Sequence, residues 1–152
     1  MNSVDRNNLK RLLDRFVSKD ASILDIGCGI GENISLLTSL GYQRVVGTDI
    51  SREMVAATRE TGHEAYLPSE IPKTKYDVLL FSHVIEHIEY PEIISFFEGF
   101  FARAKGSAIV IIVTPVLYDG FFNDVDHVKP YYPDGLMMLF SKNRISRQYC
   151  SD

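Results

Sequence analysis

A short apolar run, SILDI at residues 22–26, leads straight into glycines at 27, 29 and 31, and a helical pattern, ISLLTSL, follows at residues 34–40. Nothing else in the chain restricts its fold as tightly. A buried strand, a glycine turn and a helix in succession make the first half of a strand-helix-strand unit. Glycine at alternate positions means that backbone turns sharply or passes very close to another group. The alternation continues downstream. RVVGTD reads as a second strand, SREMVAATRET as a helix capped by Ser51 and stopped at Gly62, HEAYL as a short strand and YDVLLFS as a longer one. Pro91 then opens a helix whose apolar stripe runs through Ile93, Phe96, Phe97, Phe100, Phe101 and Ala104. SAIVIIV makes a fifth strand, YYPDGLMMLFSKN holds a short helix, and RISRQYC reads as a sixth strand. Ahead of the first strand, Leu9, Leu12, Leu13 and Phe16 recur at the spacing of an amphipathic helix.

Strands that are near-continuous apolar runs, alternating with helices, are buried on both faces. The prediction is an α/β fold with a doubly wound, Rossmann-like, mostly parallel sheet flanked by helices. The 152 residues make one domain, with an N-terminal helix at 1–20, a core at 21–115 and a loop, short helix and last strand at 116–152. Ligands of such sheets bind beyond the carboxyl ends of the strands. That directs attention to Asp25–Gly31, Asp49–Ser51, Leu67–Glu70, Ser82–His87 and the segment from Thr114.

Composition narrows the function. A net charge of -4 argues against coating nucleic acid by bulk electrostatics, and the basic residues of the first helix are interleaved with Asp5 and Asp14, as on a solvated face. Cys28 and Cys150 lack metal-type spacing and fit a reducing compartment. The first residues carry no apolar signal core, and AIVIIV at 108–113 is too short to cross a bilayer, so a cytoplasmic protein with no membrane partner is expected.

The glycine turn is hard to reconcile with an anion. A phosphate loop would end in Gly-Lys-Ser/Thr, yet Glu32 and Asn33 follow Gly31, and a dinucleotide turn would place glycine where Glu32 stands. Asp25 lies two residues ahead of Gly27 and would repel a pyrophosphate, but it would attract an ammonium group. S-adenosylmethionine has that ammonium, carries no phosphate and is a sulfonium cation. Asp25 would meet its amino group directly or through water, and the helix start would favour its carboxylate. Asp49, about 20 residues beyond Gly29, would accept hydrogen bonds from the ribose hydroxyls. Taken singly, Asp25 could be a solvated turn residue and Asp49 a helix cap at a strand end.

LDIGCGIGENI, VVGTDIS, YDVLLFSHVIEHI and IVIIVTP, in that order, resemble the successive motifs of class I S-adenosylmethionine-dependent methyltransferases, especially the small-molecule group. The resemblance covers about Leu9 to Phe140, and its order and spacing are more specific than any one motif. It implies that Gly27, Cys28, Gly29 and Gly31 line the methionine end of S-adenosylmethionine, that Asp49 meets the ribose, and that Ile50 packs on adenine. Ser82 and His83 would lie near the methyl group. An acid soon after the third strand usually receives the adenine amino group; YLPSEIP offers Ser69 or Glu70. The family's sheet has seven strands and this chain reaches only about a sixth, so the usual seventh strand is expected to be missing. Two copies could then pair through an open sheet edge.

The implied activity is methyl transfer to O, N or C of a small-molecule acceptor, with His83, His87 and His127 as candidate acid-base residues. The Asn/Asp-Pro-Pro-aromatic element of base methylation is missing after the fourth strand, which disfavours DNA. HVIEH also spells an inverzincin helix, but it begins at a strand end. His83, Glu86, His87 and His127 further resemble, with His83 replacing an acid, the metal set of small-RNA 3′-terminal 2′-O-methyltransferases. Similar HVIEHI segments occur in metal-free small-molecule enzymes, so no metal ligand is expected and RNA is disfavoured as acceptor. A third alternative, suggested by the missing strand, is a non-catalytic subunit that keeps the fold and binds a partner. The aromatic segment from Tyr118 to Tyr132 would be the acceptor lid, while its Phe121, Phe122, Tyr131 and Tyr132 suit a core or an association surface equally well.

Overall fold

A computed structural model describes residues 3–141. Helix α1 (Ser3–Phe16) precedes strand β1 (Ser22–Ile26), α2 (Glu32–Ser39), β2 (Arg44–Thr48), α3 (Arg52–Glu60), β3 (Ala65–Tyr66) and β4 (Tyr76–Ser82). A single 3-10 turn (Ile85–His87), α4 (Glu92–Phe101), β5 (Ala104–Val113), a second 3-10 turn (Phe121–Asn123) and α5 (Pro133–Ser141) follow. The strands form one sheet in the order β3-β2-β1-β4-β5, and every neighbouring pair is parallel. The order reverses between β1 and β4, so the carboxyl ends of these two strands flank the crevice where such sheets take ligands. The expected sixth strand at 144–150 lies outside the described residues.

The elements form where their patterns place them, with local adjustments. Ser51 caps α3 by accepting a hydrogen bond from the Met54 N–H, and Gly41 and Gly62 end α2 and α3 at φ +92° and +85°, where a side chain would be strained. Pro91 stands at the cap ahead of α4 rather than inside its first turn, and Ala104 belongs to β5, not to the helical stripe.

Alternate residues of the strands feed two cores. Ile23, Val78 and Leu80 pack under Leu9 and Leu13 of α1, Ile34 and Leu37 of α2 and Val55 of α3. Leu24, Ile26, Leu79 and Phe81 face Ile93 and Phe97 of α4 and Leu136 of α5. The aromatic stripe of α4 closes on Phe81, whose ring lies 5.8, 5.0 and 6.0 Å from those of Phe96, Phe97 and Phe100. Among the described residues no helix is long and apolar enough to cross a membrane.

At the opposite, amino end of the sheet, Asp77 accepts hydrogen bonds from the Ser22 N–H and hydroxyl (2.9 and 2.7 Å) and pairs with Lys105 at 2.8 Å. The Lys105 ammonium, then the two Ser22 donors, hold its carboxyl well below the usual range. A cavity of about 270 Å³ beside them is lined by the paired Asp77 and Lys105 together with Ser18, Asp20 and Arg44. Asp77→Ala is expected to cost about 1–2 kcal/mol, mostly from the buried Ser22 donors, since the exposed Lys105 is screened. Because a lowered carboxyl stabilises only above its unfolded value, the gap between the two proteins in chemical unfolding should shrink as pH falls below about 4.

Candidate functional site

The glycine turn between β1 and α2 is left-handed at all three glycines, with φ +74°, +53° and +84° at Gly27, Gly29 and Gly31. Two of them are pressed against protein. A Cβ on Gly27 would meet Val84 at 2.9 Å and one on Gly31 would meet Thr58 at 3.0 Å, whereas Gly29 faces open space. Gly29 is therefore the position at which backbone is bare to a ligand. The turn is fastened below by the Gly27 and Cys28 N–H groups, which donate to the Thr48 carbonyl at 2.9 and 3.0 Å. Above, Thr58 Oγ1 donates to the Gly29 carbonyl at 2.7 Å.

Asp49 directly follows the second strand and grips the same turn. One carboxylate oxygen accepts from the Gly29 N–H at 3.0 Å and the other from the Ser51 N–H at 2.9 Å. Each oxygen keeps a further lone pair, so the group can still accept from a diol. Ile50 beside it is 87% exposed, an apolar side chain with nothing packed on it.

Asp25 is neither a solvated turn residue nor open to a direct ligand contact. It lies inside β1, is 0% exposed, and shares the face of Ile23 beneath α2. Its Oδ1 accepts from Asn33 Nδ2 at 3.3 Å, while Oδ2 has no hydrogen-bond partner. Burial pushes its carboxyl up to about 7, and the charge of Asp49 adds to the rise. The two acids thus share one field, as a site for a cation requires. A ligand cation would reach Asp25 only across an intervening water.

Cys28 offers no thiol to the site. Its Sγ is buried against Gly47, where an added Cβ would approach to 2.7 Å, and burial pushes the thiol up to about 12. Ser69 and Glu70 fall in the turn after β3; Glu70 pairs with Arg59 at 3.9 Å, and Ser69 is exposed.

The acceptor-side residues gather where β4 and β5 end. Ser82 is buried at the last position of β4. His83 follows at φ +54° with its N–H on the Val113 carbonyl, 2.8 Å away. Its ring stands between two acids, Nε2 at 3.2 Å from Asp5 and Nδ1 at 3.4 Å from Glu86. Glu86 foremost, and Asp5 with it, raise the His83 value against burial, which favours an imidazolium with both nitrogens committed. That is a poor arrangement for a general base. Glu86 itself is 0% exposed; burial would raise its carboxyl, but His83, its own backbone and Thr114 together bring it below the ordinary value.

His87 and His127 lie together, ring centres 5.0 Å apart. They reach Glu86 but not His83's position between the acids: one ligand atom each from Glu86, His87 and His127 falls within 4.8 Å of the others. His83, His127, Asp5, Tyr118, Pro115 and Val116 line a cavity of about 300 Å³. The loop carrying His127 is stitched to Glu86, whose carbonyl accepts from the Val128 and Lys129 N–H groups at 2.9 and 3.3 Å. Of the aromatic segment, Phe121 is buried under His127, with ring centres 4.7 Å apart, and Tyr131 is buried; Phe122 and Tyr132 are exposed.

A parallel doubly wound sheet whose first glycine turn leaves Gly29 open on its Cα side, gripped by an acid just after β2 and neighboured by a cavity of mixed polarity beyond the ends of β4 and β5, defines a nucleotide-type cofactor domain with a second, adjoining subsite. The profile of the methyltransferase domain family matches residues 1–147, and the chain belongs to that family. A S-adenosylmethionine-dependent methyltransferase from Archaeoglobus fulgidus superposes with TM-score 0.71 at 25% identity over 90% of this chain and 67% of its own. The magnesium protoporphyrin IX methyltransferase of Synechocystis PCC 6803, solved with S-adenosylmethionine bound, shares the fold with TM-score 0.70 at 16% identity, covering 93% and 67%. Ribosomal protein L11 methyltransferase from Pseudomonas fluorescens is 37% identical over 71 residues, 41% of this chain and 24% of that protein. The chain thus spans about a quarter of that relative's length.

Proposed function

We propose that the chain binds S-adenosylmethionine across the glycine turn and transfers its methyl group to a small-molecule acceptor in the cavity beside His83. The observation that carries this reading is the pairing of Asp49 with Gly29: an acid held by the Gly29 and Ser51 N–H groups, beside a glycine whose Cα faces open space. The ribose hydroxyls donate to Asp49, Ile50 lies under the adenine, and the buried charge of Asp25 attracts the ammonium. Ser69 or Glu70 lies at the adenine end.

Transfer is an in-line displacement: the bond from sulfur to the methyl carbon breaks as the acceptor atom bonds to that carbon, leaving S-adenosylhomocysteine. Alignment supplies most of the acceleration such a step needs from a protein. The volume of about 300 Å³ fits a small molecule, at the low end for ligand pockets. His83, held by Asp5 and Glu86, offers the acceptor a fixed positive edge, while His127 and His87 bring nitrogen lone pairs to the rim.

Calorimetry of the whole chain should show S-adenosylmethionine and S-adenosylhomocysteine binding and no heat with NAD. Asp49→Ala should weaken binding tenfold to about a hundredfold, the loss of about 1–3 kcal/mol for hydrogen bonds to a charged group. Unchanged affinity in Asp49→Ala, or NAD binding in place of the sulfonium, would refute the assignment.

A further inference from the structure

His87 and His127 are fixed in the same tautomer by different carbonyls. His87 Nδ1 lies 3.0 Å from the Asp126 carbonyl, and His127 Nδ1 lies 2.8 Å from the Phe121 carbonyl. A carbonyl can only accept, so each Nδ1 carries the proton and each neutral ring leaves its Nε2 with a lone pair. Two imidazoles with ring centres 5.0 Å apart and tilted by 59°, each keeping an unprotonated nitrogen next to a carboxylate that is wholly buried, form a set of electron-pair donors for one cation. Oε1 of Glu86 has no hydrogen-bond partner and only the 3.4 Å charge contact with His83. Its other oxygen takes the Thr114 hydroxyl at 3.1 Å.

From this geometry we infer that Glu86, His87 and His127 bind a divalent first-row transition-metal ion at the rim of the acceptor cavity. Two imidazole nitrogens and one carboxylate oxygen suit manganese, iron, cobalt or zinc, and are a poor match for magnesium or calcium, which prefer oxygen alone. The supporting shell is already built. Backbone carbonyls orient both rings, as they do for metal-ligating histidines elsewhere, and Thr114 orients the carboxylate. His87 is exposed, so the ion has an entry path, whereas Glu86 anchors the inner side. His83 stays outside the set, since both its nitrogens face carboxylates.

The ligand class follows from position. His127 lines the cavity as well as the donor cluster, so an ion on its Nε2 borders the acceptor and would take an oxygen donor from it, a hydroxyl or a carboxylate. The Asp124 carboxylate lies 3.6 Å from the same Nε2, a neighbouring negative charge that favours a cation there.

The inference goes beyond the methyl-donor reading and is tested without it. The chain, free of any histidine tag and stripped with chelator, is titrated with Co²⁺, Zn²⁺ and Mn²⁺ singly, followed by calorimetry and, for Co²⁺, by visible absorption. One ion per chain is expected, with Zn²⁺ tighter than Mn²⁺ and a Co²⁺ spectrum showing nitrogen ligation. His87→Ala, a change on an exposed side chain that leaves the core intact, and His127→Asn should each weaken Co²⁺ binding at least tenfold. His63→Ala, at the fourth histidine beside Ser35, should leave it unchanged. Absence of binding by all three ions, or binding that survives either replacement at the cluster, overturns the site. Because no S-adenosylmethionine is present, such a failure leaves the donor reading standing, and a failure of donor binding leaves this result standing.

Discussion

Asp25→Asn is expected to stabilise the ligand-free protein at pH 8 while weakening its hold on S-adenosylmethionine about a hundredfold. The stabilisation comes from a carboxyl that burial has raised from near 4 to about 7, with Asp49 adding to the rise. A carboxyl that titrates higher in the folded than in the unfolded chain opposes folding as it ionises. Wild-type stability should therefore be undiminished below about pH 4, decline as pH rises to about 7, and level off above. At about 1.4 kcal/mol per unit the full penalty is at most about 4 kcal/mol, and relaxation around the group brings the expected gain of the Asn variant nearer 2 kcal/mol. Thermal melts of both proteins from pH 5 to pH 8.5 test this; an Asn variant less stable at pH 8 would show that the carboxylate is a net stabiliser. The affinity loss has an electrostatic origin. Across one water, roughly 5 Å, a carboxylate and an ammonium attract by about 3 kcal/mol at an effective dielectric constant near 20. Binding should accordingly expel a proton from Asp25 at pH 6 and not at pH 8, which calorimetry in buffers of different ionisation enthalpy reads directly.

How far these residues could be read before the fold was known depends on whether their partners are close in sequence. Strand β4 occupies the run YDVLLFS to the residue, because its apolar centre VLLF, buried on both faces, marks a central strand without other information. Strand β5 starts at Ala104, earlier than its apolar run, since the polar Lys105 and Gly106 are held by pairing of Ala104 with Tyr76 that hydropathy does not express. The depth of Asp25 was available from parity: in SILDI it falls on the face of Ile23, toward the helix that follows, and not at the open end of the strand. Asn33, which holds its Oδ1, carried a signal too, a polar residue in the first turn on the buried side of α2. The clamp of Asp5 on His83 joins residues 78 apart and had no local trace. Without it, His83 read as a base; with it, the ring is bound by acids on both sides. The lone pairs of His87 and His127 depend likewise on carbonyls of Asp126 and Phe121 that only tertiary structure brings to them.

Gly47 is the second position whose role came from packing alone, and its replacement is expected to damage fold and site together. It sits in the middle of β2 with ordinary backbone angles, so no turn advertised it. An added Cβ would meet Cys28 Sγ and Ile34 Cδ1 at 2.7 Å and Cys28 Cβ at 2.9 Å. Neither side chain has room to swing aside: Cys28, on the glycine turn, is 5% exposed, and Ile34 is 1% exposed in α2. Relief requires β2 to move away from the turn, which stretches the Gly27 and Cys28 hydrogen bonds to the Thr48 carbonyl and carries Asp49, the next residue, with it. Gly47→Ala should cost about 2–3 kcal/mol in chemical unfolding, near the upper range for overpacking, and Gly47→Val more. Affinity for S-adenosylmethionine should fall in Gly47→Ala even at temperatures where the variant is fully folded, because Asp49 and Gly29 no longer share one geometry. Cys28→Gly removes both sulfur and Cβ from the clash, so the pair Gly47→Ala with Cys28→Gly should be more stable than the sum of the single changes predicts, by about 1 kcal/mol or more. Additive losses, or an unaltered affinity in the folded Gly47→Ala protein, would show that the turn and the second strand are not held in register by this contact.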